Sequence, residues 1–383
     1  MEVSLKEISK IVTGNTPSKK NKNYWNSEDI CFIKPDVIGS GIDSITTSNE
    51  YISNFASSKA RIVDRNTILI TCIGNIGRIG IVSDKKVAFN QQINAIIPNY
   101  KINIRYLAYV LLFSQPRLNA LANSAVVPIV NKTQLGNFKI KINPNVESQG
   151  KIVSILDKIA KIIKNQTKEI KRLDELIKAR FVEMFGDPVI NSKNLELSTL
   201  ANLGMLGRGR SKHRPRNDPK LLGGKYPLIQ TGEISQSGLY IRNFSNTYSE
   251  LGLKQSKLWP KDTLCITIAA NIASTSILTF NACFPDSVVG FISNEDKVKP
   301  VFLHYWFSFF QNIIESQATQ VAQKNINLKV LSNLSVIHPP LSLQNEFADF
   351  VRQVDKSKFE IIVYLNKTLL NKILSQIGDV IRD

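Results

Sequence analysis

The sequence predicts an α+β protein. Two tandem α/β domains are expected, joined by two long antiparallel coiled-coil helices in a pseudo-twofold internal repeat. Three observations predict this. A long heptad pattern occupies the middle of the chain. A second such pattern closes it. The segments before the two patterns match each other at a period near 195 residues.

The middle stretch runs from Gln149 to Met184. Its apolar positions are Ile152, Leu156, Ile159, Ile163, Ile170, Leu173, Ile177 and Met184, with Gln166 and Arg180 in the two missing places. Steps of four and three keep one stripe facing a partner helix along the whole length. No Pro or Gly interrupts it after Gly150. At about 1.5 Å per residue the stretch makes a rod of roughly 54 Å, longer than most globular cores accommodate. The closing stretch, Gln344 to Arg382, places Phe347, Val351, Val354, Ile361, Leu365, Leu369, Ile373 and Ile377 on a looser seam, with Lys358 at one core place. The expected division is 1–145 and 188–342 as globular domains, and 146–187 and 343–383 as spacer helices.

The repeat is read from matched residues. A short amphipathic helix is predicted at Leu5–Ile8 and again at Leu197–Leu200. Ile70-Thr71-Cys-Ile-Gly-Asn75-Ile76 matches Ile266-Thr267-Ile-Ala-Ala-Asn271-Ile272, and Ala88-Phe89 matches Cys283-Phe284. Leu135, Pro144 and Gln149 match Leu331, Pro340 and Gln344. Short β-branched runs bounded by turn residues predict strands at 67–71, 79–83, 93–97, 263–268 and 287–292. Helices are predicted at 105–113 and 301–310. A second unit merely translated along the first would leave the last helix with a bare apolar stripe. A twofold relation lets the two seams cover each other antiparallel, with the globular bodies at opposite ends of a two-helix rod.

Composition narrows the function. The chain has 383 residues, enough for two or three domains, and 43% are apolar. No apolar run reaches the roughly 18 residues of a membrane span. The opening MEVSLKEISK has neither an apolar core nor a cleavage site, so no signal peptide is expected. Cys31, Cys72, Cys265 and Cys283 show no paired spacing and only 3 His occur. A disulfide framework or metal site is therefore not expected, and a cytoplasmic location is. The net charge is +18: residues 1–145 carry +9, 146–187 +2, 188–342 +7 and 343–383 none. Two basic bodies on a nearly neutral frame point to two contacts with one polyanion.

Catalytic motifs are weighed and set aside. Gly74-Asn-Ile-Gly77-Arg-Ile-Gly80 resembles a phosphate loop but lacks the Lys-Ser/Thr. The matching positions are Ala270, Ala273 and Ser276, so small residues packed closely are expected there. Pro285-Asp286 with Glu295-Asp296-Lys297 mimics a nuclease set, but the first copy has Asn90-Gln91 where Pro285-Asp286 stands. His338-Pro-Pro-Leu341 lacks the acceptor and aromatic of a methyltransferase tetrad. No catalytic residue is expected.

The basic loops are the strongest contact signals. Arg208, Arg210, Lys212, His213, Arg214 and Arg216 fall within nine residues, and the first copy offers Lys19, Lys20 and Lys22 beside Tyr24-Trp25. Arginine forks suit guanine edges and phosphates. The aromatic pair is expected to close the core. The loops differ between copies while the frame around them agrees, as two readers of different half-sites would.

Taken together, the sequence resembles the specificity subunit of type I restriction–modification systems. The resemblance covers the whole chain. It rests on Gly14-Asn-Thr-Pro-Ser18, Gly74-Asn-Ile-Gly-Arg78, Phe89-Asn-Gln-Gln-Ile93, Gly224–Gly232, Cys283–Gly290 and Pro339-Pro-Leu-Ser-Leu-Gln344. It implies a non-catalytic chain that binds an asymmetric bipartite site on double-stranded DNA. Two modification subunits and two restriction subunits would assemble with it. S-adenosylmethionine, ATP and Mg²⁺ would belong to those partners, with no cofactor in this chain. The rival readings are a stand-alone nuclease or methyltransferase, and a coiled-coil scaffold.

Overall fold

The computed structural model describes residues 1–83, 86–122, 127–213, 215–216, 218–269, 272–309, 326–365 and 373. The chain forms two compact units: Met1–Gln166 together with the chain from Val363 onward, and Thr167–Ile362.

In the first unit a five-stranded sheet has the spatial order Ser9–Thr13, Ile93–Pro98, Ile68–Thr71, Ile79–Val82, Ile42–Ile45. All pairs are antiparallel except the last. The central strand Ile68–Thr71 is buried along its whole length. Ile68 and Ile70 pack with Tyr106, Leu107, Val110 and Leu111 of the helix Ile104–Phe113. Leu69, on the opposite face, packs with Ile33, Val87 and Phe89 of a second, four-stranded sheet. Successive side chains leave a strand on opposite faces, so a strand covered on both sides must be apolar throughout. That is why the sequence there reads as an unbroken apolar run.

The second unit repeats this order strand for strand. Its five-stranded sheet runs Gly204–Arg208, Val288–Ser293, Leu264–Thr267, Thr275–Leu278, Tyr240–Ile241, again with one parallel pair at the far edge. Leu264 and Ile266 face Phe302, Leu303 and Trp306, while Cys265 faces Trp259 and Phe284. Each unit also has a four-stranded sheet with the same order and senses: Tyr51–Ile52, Ile30–Ile33, Val87–Phe89, Ile62–Val63 in one, and Asn246–Tyr248, Leu222–Leu228, Ala282–Cys283, Leu258–Trp259 in the other.

One predicted element moves. Leu197–Thr199 is a strand paired with Ser335–Ile337, and the short helix is Leu200–Leu203. Leucines three apart occur twice in overlapping fashion, at 197/200 and 200/203. Only the second pair is buried, while Leu197 is 55% exposed. The first unit has the same strand-then-helix step, Glu2–Ser4 then Leu5–Ile8.

The first long helix is Val146–Phe185, 40 residues, and the division between the units falls inside it. Leu156, Ile159, Ile177, Phe181 and Phe185 are buried on its stripe. Ile163 departs from the predicted seam at 36% exposed. In the first unit Asp157 accepts hydrogen bonds from Arg105 Nε at 2.6 Å and Tyr109 Oη at 2.6 Å. Burial, reinforced by that carboxylate, pushes the Tyr109 hydroxyl above its usual range. Ile373 packs beside Tyr109 and Leu156.

The second long helix is described over Leu341–Val363. Of its predicted continuation to Arg382, Tyr364, Leu365 and Ile373 are described, while the rest, with Leu369 and Ile377, lies outside the described residues. Within the second unit Arg180 pairs with Glu346 at 2.8 Å and Asp174 with Lys358 at 2.5 Å, so the two helices run antiparallel there. Lys358, the polar residue on the apolar seam, sits in that ion pair. Phe181 meets Phe302 and Phe347 at 5.5 Å, and Phe185 meets Phe347 at 5.4 Å.

A buried glutamine fastens each long helix to its sheet domain. Gln149 Oε1 accepts from Asn103 N at 2.8 Å and its Nε2 donates to Asn143 O at 2.7 Å. Gln344 Oε1 accepts from Lys299 N at 2.9 Å and its Nε2 donates to Pro339 O at 2.8 Å and Lys297 O at 3.1 Å. Asn103 and Lys299 are the N-caps of the matched helices Ile104–Phe113 and Pro300–Phe307.

Candidate nucleic-acid interface

Both basic loops leave the same place on the repeated frame. After Ser9–Thr13, Gly14 N donates to Ile93 O at 3.1 Å and Asn15 N to Phe89 O at 3.0 Å. After Gly204–Arg208, Gly209 N donates to Val288 O at 2.8 Å and Arg210 N to Phe284 O at 3.2 Å. A Cβ on Gly14 would collide with the carbonyl oxygens of Phe89 and Asn90, and one on Gly209 with those of Phe284 and Pro285. Close backbone approach therefore requires glycine at the start of each loop.

In the first loop Lys19, Lys20 and Lys22 are all exposed. Lys19 Nζ lies 3.2 Å from Glu50 Oε2 and 4.8 Å from the Trp25 ring centroid. Lys34 also pairs with Glu50, and the Lys34 ammonium, with Lys19 second, holds that carboxyl below the usual carboxylate range. Lys22 opens a 3₁₀ turn, Lys22–Tyr24, capped by the Asn21 side chain. Among the described residues no side-chain partner holds Lys20 or Lys22. Trp25 stacks edge-on to Phe32 at 5.2 Å, so the aromatic pair closes the core as predicted.

The second loop is tied more tightly. Arg208 Nε donates to the carbonyl of Asp286, and Arg216 Nη2 donates to its carboxylate at 2.5 Å. Gln255 Oε1 accepts from Lys212 N at 2.6 Å and His213 N at 3.1 Å. His213 Nε2 lies 3.0 Å from Asp218 Oδ2. The backbone N–H of Lys220, with His213 contributing less, holds the Asp218 carboxyl below its ordinary range. The Arg210 side chain is exposed and no side-chain partner holds it among the described residues. Arg214 lies outside the described residues.

The contrast is chemical. A charge already paired offers less to an incoming phosphate or base than one held only by its backbone. Sequence reasoning found the loops but missed Gln91, Gln255 and Asp286, which order them. These lie more than 40 residues from their partners in the chain, and spacing carries no signal of such contacts.

The set-aside motifs have other occupations. Gly74 and Gly77 have φ of +75° and +83°, and Ala273, matched to Gly77, has φ +62°. A Cβ at Gly74 would meet open space. Left-handed backbone, not smallness, is therefore what Gly74 supplies. Close packing does apply at Gly80, against Ile45. Asp286 serves the loop, while Glu295–Lys297 follow the six-residue strand Val288–Ser293, about 20 Å long. Lys297 Nζ donates to Asn202 O at 3.0 Å. Among the described residues no group of three or more His, Cys, Asp or Glu could hold a metal ion, and no helix is long and apolar enough to cross a membrane.

The fold and its loops define a class: a two-module protein with a basic loop on each copy of one α/β domain. The chain belongs to the type I restriction–modification DNA specificity family, whose domain model matches residues 1–174 and again 192–373. It is 23% identical over 402 residues to the type I restriction enzyme MjaIX specificity subunit of Methanocaldococcus jannaschii, covering 98% of this chain and 90% of that protein. Its fold is similar to that of the S subunit of a type I restriction–modification system from M. genitalium, with a TM-score of 0.55, 14% identity and coverage of 100% and 96%. A second solved structure, described as showing complex assembly and conformational transition of the type I system, matches with a TM-score of 0.56 and 15% identity over 100% and 97% of the two chains.

Proposed function

We propose that this chain reads an asymmetric bipartite sequence on double-stranded DNA, with residues 1–145 addressing one half-site and 188–342 the other. One observation carries the reading. The two loops depart from matched backbone positions on the corresponding sheets of the two domains, yet one is built of lysines and the other of arginines. A common frame with divergent loops is what distinct half-sites require. The charge of +9 and +7 on the two domains supports a polyanionic target.

In this reading Arg210 and Arg214 address base edges, and Lys20 and Lys22 neutralise phosphates with Lys19. Arg208, Lys212, His213 and Arg216 shape or extend the second contact. The chain contributes no catalytic group. It docks two modification and two restriction subunits, which supply methyl transfer and cleavage together with their S-adenosylmethionine, ATP and Mg²⁺. The test has two arms. Selection of bound duplexes from a random library should enrich two separated blocks of sequence. Methyl transfer or cleavage by the rigorously isolated chain would contradict the non-catalytic assignment.

A further inference from the structure

Asp286 and Gln91 occupy the same place in the two repeats, two residues beyond the phenylalanine that receives the second backbone hydrogen bond of the basic loop, from Asn15 N in one copy and Arg210 N in the other. We propose that this residue is the anchor that fixes each loop's conformation, and so sets half-site specificity without touching a base. The proposal rests on the reading that the loops face DNA.

In the first domain Thr16 Oγ1 donates to Gln91 Oε1 at 2.8 Å. In the second, Asp286 holds both ends of the arginine loop: its carbonyl takes Arg208 and its carboxylate takes Arg216. The anchor's chemistry follows the loop's chemistry, a neutral amide against a hydroxyl in one copy and a carboxylate against a guanidinium in the other. The two arginines bracket Arg210, which no side-chain partner holds among the described residues, so the staple confines the segment that carries it.

A carboxylate on a DNA-facing surface repels the polyanion and by itself weakens binding. The ion pair is also half-open to solvent, 47% and 32% exposed at its two side chains, so it contributes little to folding. Preorganisation is the role that remains. A loop already held in its bound shape loses less conformational freedom when DNA arrives.

The sign of the charge change makes the test sharp. Pure electrostatics predicts that Asp286→Asn tightens all DNA binding. Anchoring predicts that the full chain carrying Asp286→Asn binds its own selected sequence about tenfold more weakly, while affinity for random duplex stays level or rises. In library selection the variant should lose sequence information in one half-site and keep the other, which also reports that it is folded. Asp286→Glu should retain most of the preference. Gln91→Leu should blur the opposite half-site. The proposal is overturned if Asp286→Asn keeps both half-sites at wild-type affinity, if it weakens selected and random duplex equally, or if both half-sites blur together. A wild-type chain that enriches no sequence would instead sink the DNA-reading assignment itself.

Discussion

Replacing Gln344 with Met, a side chain of similar length and no amide, should destabilise the second unit by a calculable amount. Gln344 is fully buried and makes three hydrogen bonds to main-chain groups. Lys297 O keeps a partner, because His338 Nε2 also reaches it at 3.0 Å. Lys299 N and Pro339 O lose theirs. Each buried group left unsatisfied costs about 1–3 kcal/mol, and the new apolar contacts return part of that, so a net loss of about 2–4 kcal/mol is expected. For a unit of this size one kcal/mol shifts Tm by about 2–4 °C, giving a fall of roughly 4–16 °C. The assay is thermal unfolding followed by fluorescence of Trp259 and Trp306, with hydrogen exchange over 299–307. The helix Pro300–Phe307 should lose protection first, since Lys299 is its N-cap. A shift below about 1 kcal/mol, or unchanged exchange at that helix, would refute the view that the glutamine fastens the long helix to the sheet domain. Gln149→Met should act alike on the first unit.

Three further outcomes are expected. Burial, with Lys358 nearby, lowers His304 to about 4. The unfolded chain therefore takes up a proton that the folded one refuses: stability should be full above about pH 6.5 and fall by on the order of 2 kcal/mol as pH drops toward 4, while His304→Gln flattens that dependence in urea titrations. Gln166 Oε1 is buried without a hydrogen-bond partner among the described residues, so Gln166→Leu should add about 1–2 kcal/mol of stability, and an unaltered melting curve would refute its burial on the seam. Arg210→Ala and Arg214→Ala should each cost roughly 1–3 kcal/mol on the selected duplex. A uniform loss on all duplexes with a reduced salt slope would make these residues phosphate clamps instead.

Periodicity carried far in this sequence. The heptad places predicted a helix that the structure extends to 40 residues, Val146–Phe185. The long apolar strands were legible because burial on both faces writes itself into an unbroken run. The four-stranded sheets were not, since Ala282–Cys283 and Tyr51–Ile52 are too short to show alternation. Leu200–Leu203 was placed three residues early because overlapping leucine pairs carry the same helical signal. The basic loops stood out by composition. Their internal order did not, because Arg216 finds Asp286 seventy residues away, a contact only tertiary structure creates. Lys358 looked like a break in the seam, and its partner Asp174 lies on the other helix.

The account's central claim is that each domain reads its own half of one DNA site. The direct measurement replaces residues 208–216 with a Gly/Ser segment of equal length and compares duplexes selected by the variant and the wild-type full chain. The wild type should enrich two different blocks of bases separated by a constant number of unspecified positions. The variant should keep one block unchanged and lose the other. Loss of both blocks in a folded variant, or retention of both, would contradict the account.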